Sequence, residues 1–205
     1  MNRATQVKLA AVNVLRVYEI ADAETRAAGI TWYPRNAALL ADVARSVGKS
    51  AHAVIGAAAA ISPGMNWDLV PVCVARLARR ERVSIPTYNM DNVRKARACL
   101  KGTDPLGVLG GPKVRAFYAC LTAPATSREV CVDGHAVRIA RALPGSIRGD
   151  GAAEARVTEY QYALVADAYR LAADAYGLPP HAMQAITWLA WKGGASRNGS
   201  LFPQE

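Results

Sequence analysis

Val108-Leu109-Gly110-Gly111-Pro112-Lys113-Val114-Arg115-Ala116-Phe117 and, one loop later, Val130-Cys131-Val132-Asp133-Gly134-His135-Ala136-Val137-Arg138-Ile139-Ala140 are the segments on which the reading of this chain turns. In the first, a helix is expected to stop at two glycines and another to start at once, with Pro112 in its first turn. Glycines let the backbone approach a partner, and a fresh helix N-terminus points free N–H groups outward, which suits an anion such as a phosphate. The same pattern also serves as an ordinary connection between helices. In the second segment Asp133 stands at a helix start after a short apolar run, with His135 and Arg138 following. An aspartate there is either a plain N-cap or a carboxylate presented for chemistry.

Helical periodicity spreads from these segments over almost the whole chain. A first helix is expected over 4–27, ending near Gly29, with Leu9, Val12, Leu15 and Ile20 on one face. After a turn at Thr31-Trp32-Tyr33-Pro34, a second runs over 35–47 and stops at Gly48. Ser50 caps AHAVIGAAAAI (51–61), which is apolar all round and therefore a core helix. Ser62-Pro63-Gly64-Met65-Asn66 is breaker chemistry. Helices at 67–80, 91–101 (capped by Asn89 or Asp91), 112–122 and 134–143 follow, and then a glycine-rich linker at 144–151. Helices at 152–176 and 180–192 and a loose tail at 193–205 complete the chain. Strand-type alternation is scarce, so the fold class is all-α.

The 205 residues suffice for one large domain or two small lobes, and 52% hydrophobic residues can fill a real core. With 25 Lys and Arg against 16 Asp and Glu, the net charge of +9 suits a polyanion, because each neutralised phosphate releases condensed counterions. Cys73, Cys99, Cys120 and Cys131 form no Cys-x-x-Cys pair and have no histidine at ligand spacing. They read as buried free thiols, with no metal cluster and no cofactor expected. No apolar run reaches membrane length and the amino terminus lacks a continuous apolar signal core, so an intracellular protein is expected.

Taken together, the two segments resemble the helix-hairpin-helix (HhH-GPD) DNA glycosylase superfamily. That family carries a hairpin of the form Leu-Pro-Gly-Val-Gly-x-Lys-x-Ala and, some twenty residues on, Val-Asp-Thr-His-Val-x-Arg-Val-Ala. VDGHAVRIA matches the second motif without a gap, GGPKVRA is similar to the first, and Asp133 follows Lys113 by 20 residues. Tyr88-Asn89, ahead of Asp91-Asn92-Val93, looks like the family's Tyr-Asn helix start. The chain differs in its adjacent glycines, in Gly134 where the family has threonine, and in lacking the four-cysteine cluster of some members. It is also similar to short glycosylase-like proteins encoded by actinobacterial phages.

The resemblance implies two helical lobes with a DNA-binding cleft: 30–143 with the hairpin (102–122) and the aspartate motif (130–140), and 1–29 with 150–192. It implies Asp133 as the carboxylate that stabilises an oxocarbenium-like transition state, and Lys113 as the amine of a Schiff-base lyase step. Double-stranded DNA is the implied partner. Its phosphates would meet Gly110, Gly111 and Lys113, with Arg115 and Lys101 adding charge, and Met65 or Asn66 would fill the space of a flipped base. His135 and Arg138 take structural roles beside the aspartate. Two further outcomes share this surface: an enzyme that installs substituents on DNA bases, and a DNA-binding module without turnover.

Overall fold

The computed structural model describes residues 1–83, 90–141 and 157–198, and all regular structure among them is helical. The chain divides into two units, residues 1–33 with 125–205 and residues 34–124. This division differs from the expected lobes at both ends: 30–33 and 125–141, the latter with the Asp133 motif, group with the terminal helices and not with the hairpin. The reason is packing, because the helix that follows Asp133 buries its apolar side against helices of the first unit.

In the first unit, α1 (Arg3–Glu19) starts at Asn2, whose side chain accepts from the Thr5 amide at 2.9 Å. Its buried face is Ala10, Ala11, Val14, Val17 and Tyr18, whereas Leu9, Val12 and Ile20 are exposed. The expected face is thus corrected. Small side chains let α1 lie close against α9 (Glu159–Asp174), which itself presents Ala166, Ala172 and Ala173. The expected single helix over 4–27 is two. Asp22 caps a new helix through the Thr25 amide (2.7 Å), and α2 (Ala23–Ser46) includes both Gly29 and Pro34.

Tertiary packing overrides both helix breakers. Gly29 lies so close to α10 (Pro180–Asn198) that a Cβ would sit 2.6 Å from the Ile186 backbone. Tyr33 is buried, with its ring against His181 (centroids 4.9 Å apart) and its hydroxyl 3.4 Å from Gln184 Oε1. A capping box sets the start of α9: the Gln161 amide donates to Thr158 Oγ1 and the Thr158 amide to Gln161 Oε1. Helix α10 extends to Asn198, past the expected end at 192. The expected linker (144–151) and the last seven residues of the tail lie outside the described residues.

The second unit is built on α3 (Ala51–Ile61), capped by Ser50 and buried at every position from Ala53 to Ile61. Around it pack α4 (Val70–Ala78), α5 (Met90–Leu100), α6 (Pro105–Val108) and α7 (Pro112–Thr122). Gly56 makes this possible, since a Cβ there would meet the Pro105 ring at 2.6 and 2.8 Å. Asn66 caps a 3₁₀ turn at Trp67–Leu69 that leads into α4. The Asn89 cap and Tyr88 fall outside the described residues. Cys99, Cys120 and Cys131 are buried and in no disulfide, and Cys73, also expected to be buried, is half-buried.

Candidate functional site

Short-range chemistry fixes the hairpin. Asp104 caps α6 through the Leu106 amide (3.1 Å), and the buried Leu109 turns the chain outward in an extended conformation. Gly111 has φ +73°, a left-handed value that a side chain resists, and α7 begins at the next residue. Gly111 offers no side-chain cap and Pro112 has no N–H, so the Lys113 and Val114 amides of the first turn of α7 have no side-chain cap, and Lys113 is exposed. Arg115 spends its Nε–H on the Leu109 carbonyl at 2.9 Å. It therefore braces the turn in addition to carrying charge. Lys101 is exposed just beyond α5, ahead of Gly102 at φ +98°.

The loop before α4 is tied to the hairpin's second helix. Trp67 stacks edge-on against Phe117 of α7 (5.4 Å, 89°) and donates its indole N–H to Asn36 Oδ1 at 2.6 Å. Asn66 is exposed, and its Oδ1 accepts from the Asp68 amide (3.2 Å), which gives it a capping role. Met65 is half-buried.

Charge separates the two units more sharply than composition alone suggests. Residues 34–124 hold 13 Lys and Arg against 5 Asp and Glu, a net +8, while the remainder holds 12 against 11. Nearly all the basic excess of the chain thus belongs to the unit that carries the hairpin.

Asp133, in the first unit, sits half-buried at the N-cap of α8 (Gly134–Ala140) in an extended conformation. One oxygen accepts from the Ala136 amide at 2.8 Å, and the other receives no hydrogen bond from the described residues. Tyr162 holds the chain leading to it, donating to the Val130 carbonyl at 2.7 Å. Fully buried Tyr169 lies within the field of Asp133, and its hydroxyl is 3.2 Å from Thr187 Oγ1. Burial, and to a lesser degree the Asp133 charge, raises that phenol well above its ordinary range. His135 meets Trp188 edge-on (6.3 Å), Lys192 Nζ lies 4.4 Å above the same indole, and Arg138 is buried.

Gly110, Gly111, Lys113 and Arg115 belong to the 34–124 unit, while Asp133, His135 and Arg138 belong to the other unit. Sequence reasoning missed Tyr162 and Tyr169. Their signal was available, since two tyrosines seven apart on one helix share its buried face and bring hydroxyls with them.

Among the described residues no group of His, Cys, Asp and Glu is placed to hold a metal ion, and no helix is long and apolar enough to cross a membrane. Neither the curated proteins nor the solved structures contain a match to this chain. A family model does match, over residues 1–195, and the chain belongs to that family: the family of unknown function DUF7178.

Proposed function

We propose that this protein binds duplex DNA through the Leu109–Val114 turn and cleaves the N-glycosidic bond of a damaged or modified base with Asp133. The observation that carries the reading is the hairpin itself. It is an uncapped helix start with Lys113 beside it, in a unit of net charge +8. Amides and lysine together suit a phosphodiester, and the excess charge supplies affinity for any duplex.

Base excision asks for a fixed carboxylate near C1′ of the target nucleotide. As the base departs with the glycosidic electron pair, the sugar becomes oxocarbenium-like, and a carboxylate stabilises that charge while water adds to C1′. The α8 amide bond to one oxygen of Asp133 orients the group and leaves the other oxygen for this role. Exposed Lys113 serves first as a phosphate contact, and its amine is the candidate for a Schiff-base lyase step.

One observation favours a second reading. Capping α8 is by itself a sufficient reason to keep an aspartate at 133, so the fold also suits a DNA-binding module without turnover. The test is a panel of duplexes bearing uracil, oxidised and alkylated bases, titrated with the full chain over a salt series. Base release that vanishes in Asp133→Asn supports excision, and a borohydride-trapped adduct lost in Lys113→Ala adds the lyase step. Steeply salt-dependent binding without reaction on any substrate selects the binding module. Salt-independent binding, or none, refutes the proposal as a whole.

A further inference from the structure

Lys95 shares neither of the motifs that drew attention to the hairpin, yet it lies against the turn. Its Nζ is 3.4 Å from where a Cβ of Gly110 would stand. The side chain is only 24% exposed, so it lies along the protein surface and does not extend freely into solvent. Asp91, one helical turn earlier on α5, holds the ammonium at 2.7 Å and also pairs with Arg94 at 2.6 Å. That carboxyl is held below its usual range by its hydrogen bonds from Lys95 and then Arg94. Gly110, having no side chain, leaves room for the ammonium beside the turn.

Arg115, from α7, is bonded to the Leu109 carbonyl of the same turn. Two cations from two different helices thus reach the turn, one anchored by a carboxylate and one by a carbonyl. Asp91 lies on the surface, where an (i, i+4) ion pair is weak and readily exchanges its partner for a stronger one. A phosphodiester is such a partner, since it offers charged oxygens to the ammonium together with the α7 amides.

We propose that Lys95 is a DNA-phosphate ligand of the hairpin, held at Gly110 by Asp91 and transferred to a phosphodiester that crosses the turn. This inference rests on the reading of the hairpin as a DNA-binding element. It assigns a contact from α5, outside both motifs, and gives the Asp91–Lys95 pair a purpose in the free protein.

The test is the salt dependence of affinity for an undamaged 20-base-pair duplex, measured with the full chain. Lys95→Met keeps the aliphatic stem and removes the charge, so the slope of log K against log salt should fall by about 0.9, one phosphate's worth. Lys95→Arg should restore it. In the wild-type chain, bound duplex should also slow acetylation of Lys95 several-fold, a readout that needs no substitution. An unchanged slope in Lys95→Met, or Lys95 acetylated at the free rate while Lys113 is protected, overturns this inference and leaves the hairpin reading standing. A wild-type chain with no salt-dependent binding removes both.

Discussion

Replacing Gly29 by alanine tests the close approach of α2 to α10. The new Cβ would stand 2.4 Å from Ile186 Cγ1 and 2.6 Å from both its Cα and its N. The Cγ1 contact can be relieved by a rotamer change, but the backbone contacts cannot. Relative to ordinary contact near 3.4 Å the shortfall is about 0.8 Å, which α10 must yield as a rigid helix. Overpacking of this kind costs about 1–3 kcal/mol, and the backbone obstacle places Gly29 at the upper end. Alanine returns about 1 kcal/mol of helix propensity, so the net loss is about 2 kcal/mol. For a chain of this size that is a fall in Tm of about 4–8 °C. Gly193, also helical, supplies the control: among the described residues nothing outside its own helix lies within 4 Å of where a Cβ would stand. There the same substitution should stabilise by about 0.5–1 kcal/mol. Thermal and urea unfolding of the two variants settle the matter: a Gly29→Ala protein as stable as wild type would show that α2 and α10 yield to an added methyl group, and that the close approach is not a fixed feature of the fold.

Three more expectations follow from the same kind of reasoning. Asp133→Asn should leave Tm unchanged, since asparagine caps as well as aspartate, whereas Asp133→Ala should cost about 1 kcal/mol; equal destabilisation by both would mean that the carboxylate charge, and not the cap, holds α8. Trp67→Phe removes the donor to Asn36 and should cost about 1–2 kcal/mol, with faster amide exchange over 62–69 as the local signature, and unaltered exchange there would refute the tie. Burial pushes the Cys99 thiol from 9.0 up to about 11, so the unfolded chain ionises first. Stability is therefore complete below pH 9 and falls by about 2–3 kcal/mol as the pH rises to about 11. Urea unfolding at pH 8 and pH 11 should show the loss in wild type and a smaller one in Cys99→Ala, and identical losses would exclude the thiol as a source.

What could be read from residues alone was whatever local chemistry decides. Ser50 and Asp133 are caps because their side chains reach amides three residues on, and the all-apolar 51–61 had nowhere to go but the core. Gly111 and Pro112 act at the positions their backbone preferences dictate. The reading failed where distant residues decide. Gly29 and Pro34 end helices by local preference, but the fit of Gly29 to Ile186 and the burial of Tyr33 keep α2 continuous. Large side chains suggested the wrong buried face for α1, because close packing against an alanine-rich neighbour rewards small ones. In the candidate site, Asp133 and the glycines were legible as motifs. Lys95 and Tyr169 were not, since each acquires its position only when another helix is laid beside it.

The composition of α3 has a thermodynamic consequence for the hairpin. From Ala53 to Ile61, six of the nine residues are alanine or glycine, which have no side-chain torsions to rearrange. The turn carried by α6 and α7 therefore rests on a helix with few rotamers to rearrange, and its shape is largely decided when the protein folds. A ligand arriving there meets few degrees of freedom left to freeze, so association incurs little ordering entropy. The same helix cannot absorb an added methyl group by repacking, and mutational drift along this face has one direction only, towards strain.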